Sequence, residues 1–333
     1  MSTIKKLKLK LKSGLLSELQ SDTIFGHFCW RMREQYGEES LNNFINIYHE
    51  NNPVFTVSDG MIEEGNNIFY KKPYVNSEFN IKSNNKEERI SNFLLHKVIK
   101  DRTHITIDQL NLFLNGDLCT YKNSFNLPGI KDLTIPKLKQ DLRVSVGIDR
   151  ETMSSKVSQL FSYNPNYLES KDDQTFFVVF IKIINENKYL ELHCEEILRS
   201  VFEIGFGKKK SSGYGQFEVN SIESFNEFHE PRNVNGFITL GNYLPDKKDS
   251  LQSGFYEYNV KYGKLGEHLS MSENPFKKPI ILFTSGSCFY TEKHKEFYGR
   301  VTNEGEISEK SPFAVQFGMP FTLNFKTVLQ INK

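Results

Sequence analysis

The chain has 333 residues, of which 38% are hydrophobic and 25% are charged, so it can bury a core and is not a disordered chain. The formal net charge of +1 excludes a uniformly basic surface, and any contact with nucleic acid must come from local basic patches. The length predicts two domains.

The four cysteines are far apart and form no Cys-x-x-Cys pair, which argues against a zinc site and against a disulfide framework. No cluster of histidine and acidic residues has the spacing of metal ligands, so no metal or other cofactor is predicted. The N-terminal stretch lacks the apolar core of a signal peptide, and no apolar run is long enough to cross a membrane. We therefore expect a cytoplasmic protein.

Lysine and leucine alternate over residues 6–12, which predicts a half-buried first strand with its lysines on one face. That face is either a basic surface beside an RNA groove or an ordinary solvated one. Ser21 and Asp22 can cap a helix that runs to about Tyr36. A second short strand is predicted at 54–58.

From about residue 70 to 170 the regular pattern breaks down, as expected for a long insertion. Within it the sequence predicts helices at 88–98 and 107–114 and an irregular stretch at 121–139. A hairpin follows, in which strands at 142–146 and 157–163 flank a turn that begins at Asp149.

A nearly unbroken apolar run at 175–184 predicts a buried strand. A stripe of helical period follows, and Gly205 can close that helix as its C-cap. The stripe consists of Leu190, Cys194, Ile197, Val201 and Ile204. After a loop at 205–215, a strand near 216–219 completes the order of a ferredoxin-like fold, which is strand, helix, strand, strand, helix, strand.

The loop at 205–215 reads Gly-Phe-Gly-Lys-Lys-Lys-Ser-Ser-Gly-Tyr-Gly and has no acidic residue. Glycine lets the backbone turn its N–H groups outward, and lysine and serine add charge and donors, so this glycine loop suits phosphate oxygens. A nucleotide-binding P-loop is not expected, because it runs from strand to helix with a fixed spacing. A solvated surface loop is the alternative.

A linker is predicted at about 226–234, followed by strands at 237–241, 279–284 and 313–330. We therefore predict an α+β protein with two ferredoxin-like domains. The first, residues 1–225, carries the insertion as a long thumb. The second, residues 235–333, is a degenerate copy.

Five segments together resemble the RAMP proteins of type III CRISPR effector complexes, most closely the fourth subunit of the type III-A (Csm) complex. They are Ser-Asp-Thr-Ile-Phe-Gly-His-Phe-Cys-Trp at 21–30, Pro-Val-Phe-Thr-Val-Ser-Asp-Gly at 53–60, Arg143 with Ile-Asp-Arg-Glu-Thr at 148–152, Gln-Leu-Phe-Ser-Tyr at 159–163, and the glycine loop. The resemblance covers the first two thirds of the chain, and the C-terminal third fits only loosely.

This resemblance implies a non-catalytic protein that grips the 5′ tag of the CRISPR RNA, with a thumb that wedges against the guide and kinks a base out of its duplex. It implies two protein partners, the large polymerase-like subunit and a backbone RAMP subunit, and an indirect relation to target RNA. The residues predicted to bind RNA are Gly205, Gly207, Lys208, Lys209, Lys210, Ser211, Ser212, Gly213, Tyr214 and Gly215 in the loop, Arg143, Asp149, Arg150 and Thr152 in the thumb, and Ser21 and His27.

Specificity for RNA must come from other groups, because lysines on phosphates carry little base information. Splayed bases stack on aromatic rings, and four rings lie beside the basic segments, although each can equally fill the core. They are Phe161, Tyr163, Phe206 and Tyr214.

The main alternative is a metal-independent CRISPR-RNA-processing endoribonuclease, with His27 as general base and Lys208 or Lys209 beside the developing charge. No second proton-transfer group is identifiable, and in that family the glycine loop lies close to the C-terminus, whereas residues 216–333 follow it here. A backbone subunit that cleaves target RNA would need an aspartate, and the two candidates, Asp22 and Asp149, have capping or turn explanations.

Overall fold

The structure is a computed structural model that describes residues 3–75, 85–130, 133–169, 174–266, 275–309 and 311–326. The first elements in chain order are β1 (Thr3–Leu11), α1 (Ser21–His49), β2 (Phe55–Val57), β3 (Met61–Glu64), β4 (Asn67–Lys71), α2 (Lys86–Asp101), β5 (His104–Ile105), α3 (Ile107–Leu114) and α4 (Leu118–Ser124). They are followed by β6 (Leu138–Gln140), β7 (Arg143–Ile148), β8 (Ser155–Tyr163), β9 (Asn166–Leu168), β10 (Thr175–Ile183), α5 (Glu186–Glu191), α6 (Cys194–Ile204) and β11 (Phe217–Ser224).

The C-terminal part consists of strands joined by loops and short turns. These strands are β12 (Gly236–Thr239), β13 (Leu251–Phe255), β14 (Tyr258–Lys261), β15 (Ile280–Phe283), β16 (Cys288–Thr291), β17 (Arg300–Val301), β18 (Phe317–Gly318) and β19 (Thr322–Phe325). Four of them form an antiparallel sheet in the order β13, β16, β12, β19. The linker predicted at 226–234 lies between β11 and β12, and the division into two domains there stays a prediction.

The first sheet has the strand order of a ferredoxin-like fold. Strands β11, β1, β10 and β3 lie side by side and antiparallel, β2 also pairs with β10, and β4 and β5 extend the far edge. Helix α1 connects β1 to β2, and α6 connects β10 to β11, as this fold requires. The α+β fold class predicted from the sequence is confirmed.

Strand β10 is buried on both faces, which explains its unbroken apolar run. One face, with Val179 and Ile181, packs with Leu7 and Leu9 of β1 against α1 and α6. The other face, with Phe180, packs against apolar side chains from the C-terminal part, among them Ile238 and Phe321. The C-terminal strands therefore cover the sheet face that α1 and α6 leave open.

The lysine face of β1 is neither a basic groove nor a fully solvated surface. Lys6 Nζ lies 2.9 Å from a carboxylate oxygen of Glu223 on β11, and Lys8 Nζ lies 2.8 Å from one of Glu63 on β3. The Lys8 ammonium also lies 4.1 Å from the ring centroid of Phe176. Carboxylates from neighbouring strands neutralise this face, so it does not provide a basic surface for RNA.

Helix α1 differs from its prediction at both ends. It continues to His49 after a break at Gly37, where φ is +89°, and its N-cap residue is Gln20. Ser21 and Asp22 are buried and bond to the C-terminal part, because the Asn242 N–H donates to Ser21 Oγ and the Asn242 side chain donates to Asp22 Oδ1, both at 2.9 Å. The predicted capping role of these two residues is therefore wrong.

Within the insertion, α2, α3 and the β7–β8 hairpin agree with the predicted elements. The stretch predicted to be irregular begins inside the helix α4, whose last turn occupies its first residues. The predicted stripe before the glycine loop is shorter than expected, because Leu190 belongs to the separate helix α5 and is 66% exposed, whereas Cys194, Ile197 and Val201 of α6 are buried.

Candidate nucleic-acid interface

The glycine loop begins where α6 ends, at Gly205, which is the C-cap residue with φ of +120°. Gly207, Lys209, Gly213 and Gly215 also have positive φ, a conformation that favours glycine. At Gly215 the backbone also passes another segment closely, since a Cβ there would lie 2.0 Å from the carbonyl oxygen of Phe206. The glycines are therefore required by the shape of the loop.

The backbone N–H groups of the loop are largely used inside the protein. Those of Gly207, Lys208 and Gly215 donate to His27 Nε2 at 3.0 Å, to Ser17 Oγ at 2.9 Å and to the Gly14 carbonyl at 2.9 Å. Those of residues 212–214 close a turn on the Lys209 and Lys210 carbonyls. The prediction that the backbone offers its N–H groups to phosphate is therefore wrong for these residues.

The side chains of this loop can also meet a phosphate. Lys208, Ser211 and Ser212 are exposed, whereas Lys209 and Lys210 are half-buried. Three consecutive ammonium groups with no carboxylate in the same loop repel one another, and a polyanion relieves that repulsion. Ser17, which holds the loop from the segment after β1, was missed in the sequence analysis, because nothing in its neighbourhood marks it.

The base of the β7–β8 hairpin, the predicted thumb, contacts the glycine loop. Lys209 Nζ lies 3.4 Å from the ring centroid of Tyr163 and 4.9 Å from that of Phe161. The hydroxyls of Tyr163 and Tyr214 are 3.2 Å apart. Hydrogen bonds from the Ser145 and Tyr214 hydroxyls, with the nearby Lys209 ammonium, lower the pKa of Tyr163. Segments about fifty residues apart in the chain thus form one surface.

The thumb residues predicted to bind RNA are spread along the hairpin. Arg143 lies at its base, where it pairs with Asp141 at 2.6 Å. At the tip, Asp149 accepts the N–H groups of Thr152 and Glu151, and these bonds shape the turn and lower the pKa of Asp149. The exposed Arg150 and Thr152 are also at the tip, about 13 Å beyond the level of Phe161 at ~3.3 Å per residue.

His27 lies beneath the loop and supports it. Its Nε2 accepts the Gly207 N–H, and its ring centroid is 4.7 Å from that of Phe206. A nitrogen that accepts this bond is unprotonated and already occupied, so it does not face a substrate proton. Phe206 is fully buried and cannot stack on a base, and Ser21 lies buried at the contact with the C-terminal part.

Two further features bear on the kind of site. Among the described residues, no three histidine, cysteine or acidic side chains are grouped to hold a metal ion. None of the helices described is both long and apolar enough to cross a membrane.

The fold resembles solved structures over nearly its whole length. A chain in the crystal structure of the Csm3-Csm4 subcomplex of the type III-A CRISPR-Cas interference complex has 18% identity and a TM-score of 0.61, with 98% of this chain and 100% of that chain covered. A chain in the Csm1-Csm4 cassette in complex with pppApA has 14% identity and a TM-score of 0.57, with 98% and 99% covered. At such identities the likeness shows a shared fold.

No curated protein matches this sequence. The sequence model of the RAMP superfamily does match, over residues 7–218, which is more than half of the chain and includes the first sheet, the thumb and the glycine loop. The chain therefore belongs to the RAMP superfamily.

Proposed function

We propose that this chain is a non-catalytic RNA-binding subunit of a type III-A (Csm) interference complex and that it grips the 5′ tag of the CRISPR RNA. The observation that carries the proposal is the meeting of an acid-free loop of three lysines with the aromatic base of the thumb. Cations beside exposed rings suit a single strand, in which phosphates and unstacked bases are both accessible. The exposed thumb tip, with Arg150 and Thr152, is the second contact.

The proposed partners follow from the fold neighbours. The similar chains come from a Csm3-Csm4 subcomplex and a Csm1-Csm4 cassette. We infer that this chain likewise joins a backbone RAMP subunit to the large polymerase-like subunit, acts in the cytoplasm and meets target RNA only through the complex. Its proposed domains are residues 1–225 and 235–333.

The contacts of three candidate catalytic residues favour a non-catalytic subunit over a nuclease. His27 Nε2 is occupied by the Gly207 N–H. Asp22 is buried among donors from the C-terminal part, and Asp149 holds the turn at the thumb tip. A general base needs a free lone pair within reach of the substrate proton. The contacts occupy His27 Nε2 and both carboxylate oxygens of Asp22, and they give Asp149 a structural role in the turn.

Changing Lys208, Lys209 and Lys210 together to alanine is expected to weaken binding of single-stranded tag RNA and to flatten its salt dependence. The slope of the logarithm of the binding constant against the logarithm of the salt concentration is negative, and its magnitude should decrease by about 2, because each of three phosphate contacts to a single strand contributes about 0.7. Fluorescence anisotropy over a range of salt concentrations measures both quantities. A control triple variant of exposed lysines outside the loop, Lys247, Lys248 and Lys293, should leave the slope unchanged. If the loop variant bound the RNA normally, the proposed grip would be wrong.

His27→Ala is expected to weaken RNA binding without affecting any cleavage of repeat RNA, because the ring supports Gly207. His27→Gln should retain most of the affinity, since a side-chain amide oxygen can accept the same N–H. Incubating labelled repeat RNA with each variant and measuring binding in parallel checks both expectations. RNA cleavage that requires the imidazole would instead support the endoribonuclease.

A further inference from the structure

The two faces of the β7–β8 hairpin differ in chemistry. Because side chains alternate along a strand, Val144, Val146 and Leu160 share one face, and this face is aliphatic and exposed. The opposite face meets the glycine loop, and the Asp141 carboxylate beside it is paired with Arg143 at 2.6 Å. The side chains of this face come from Arg143 and Ser145 on β7 and from Gln159, Phe161 and Tyr163 on β8, and Gly147 lies on the same face.

Phe161 is an aromatic platform held beside a cation. Its side chain is 50% exposed, although Lys209 Nζ lies only 4.9 Å from its ring centroid. Lys209 is also 3.4 Å from the centroid of Tyr163, so its charge is directed at the two rings, whereas Lys208 is the exposed lysine. Lys209 therefore fixes the platform to the loop and leaves much of the Phe161 ring accessible.

An amide group lies next to this platform. Gln159 is two residues from Phe161, so it is on the same face about 7 Å away. Its carboxamide lies across Gly147, where a Cβ would come within 2.0 Å of Gln159 Oε1. A carboxamide has both a donor and an acceptor, which can pair with the edge of a base. The absence of a side chain at Gly147 gives the amide its place.

We propose that this face is a subsite for one unpaired nucleobase of the bound RNA. Phe161 stacks on the base, the Gln159 amide bonds to its edge, and Lys209 and Tyr163 position the platform. The combination of an exposed ring, an amide and the Lys209 ammonium fits an RNA nucleotide better than an apolar protein surface. The inference rests on the proposed RNA-binding function and adds the part of the site that distinguishes one base from another.

The test is a double-mutant design with the full chain and single-stranded tag RNA in which one nucleotide at a time is made abasic. Phe161→Ala should weaken binding of the intact RNA by about 5- to 150-fold, the range for loss of one base–aromatic stack. Phe161→Trp should keep the affinity. At one abasic position, the difference between wild type and Phe161→Ala should disappear. Leu160→Ala, on the same strand but the opposite face, is the matched control and should bind normally.

Gly147→Ala tests the amide separately. Gly147 does not have positive φ, so alanine brings no backbone strain. Its Cβ would lie 2.0 Å from Gln159 Oε1 and 3.0 Å from Gln159 Cβ, so the Gln159 side chain has to move. The variant should lose the preference among the four bases at the position identified by the abasic series, and its affinity for the abasic RNA should equal that of wild type. An unchanged base preference would rule out reading by Gln159.

Failure of this subsite is distinguishable from failure of the proposed function. The subsite is wrong if no abasic position removes the effect of Phe161→Ala, or if Leu160→Ala weakens binding more than Phe161→Ala. In either case the salt dependence of the triple lysine variant still tests RNA binding by the glycine loop. If the lysine variant binds with an unchanged slope, the proposed function itself fails.

Discussion

Asp22→Ala is expected to lower the free energy of unfolding by about 3 kcal/mol, the lower end of the cost of breaking a buried ion pair. Asp22 is 6% exposed and accepts hydrogen bonds from Asn242 Nδ2 at 2.9 Å and Lys261 Nζ at 2.5 Å, as well as from Gln316. All three donors belong to the C-terminal part, so their loss weakens the contact between the two parts of the chain. Denaturant unfolding followed by circular dichroism measures the change.

The lower end of that range is expected because Lys261 would keep two partners. Its Nζ also donates to Gln20 Oε1 at 2.9 Å and to Thr23 Oγ1 at 3.0 Å, so the ammonium is not stranded when the carboxylate is removed. The side-chain amides of Asn242 and Gln316 would lose the carboxylate oxygens that accept their hydrogen bonds. An unsatisfied buried donor costs about 1–3 kcal/mol.

Asp108→Ala provides a matched control for Asp22→Ala. Both aspartates occupy the second position of a helix, but Asp108 in α3 is exposed. Losing its favourable interaction with the helix dipole should cost about 0.3–1 kcal/mol. If Asp22→Ala cost no more than Asp108→Ala, the helix-terminus role inferred from the sequence would explain Asp22, and its bonds to the C-terminal part would contribute nothing to stability.

Features set by neighbouring residues were predictable from the sequence. The alternation in β1 identified Leu7 and Leu9 as buried, and the apolar run identified β10 as a central strand. A glycine after an apolar stripe marked the end of α6 at Gly205. Each of these depends on a periodicity or a backbone preference within about a dozen residues, and the fold class followed from their order.

Pairings between distant segments were not predictable in the same way. The sequence contains Asp22 and Asn242, but only the packing of the C-terminal part on α1 brings them together. The same holds for His27 under the Gly207 amide and for Lys8 beside Glu63. From their local sequence, Asp22 was interpreted as a helix cap, His27 as a possible general base and Lys8 as part of a basic face. A polar residue's role depends on its partner, and the partner's position is a property of the whole fold.

Gly215→Ala is expected to distort the glycine loop and to reduce RNA affinity as much as the triple lysine change. Gly215 has φ of +66°, and an added Cβ would lie 2.0 Å from the Phe206 carbonyl oxygen and 3.0 Å from its carbonyl carbon. Both are backbone atoms, and Phe206 is fully buried and bonded back to the Gly215 carbonyl at 2.8 Å, so neither side can move freely. Left-handed strain and overpacking together should cost about 2–5 kcal/mol of folding stability.

Gly213→Ala separates the effect of steric overlap from that of left-handed backbone strain, because Gly213 has φ of +85° but no atom lies within 4 Å of the added Cβ. It should cost only the left-handed strain, about 1–2 kcal/mol, and should keep nearly normal affinity for tag RNA at fixed salt. Anisotropy titrations with thermal unfolding of both variants check the pair. Equal RNA affinities for the two variants would mean that the approach of Gly215 to Phe206 does not hold the lysines in place, because the loop would then tolerate a shift of its closing residue.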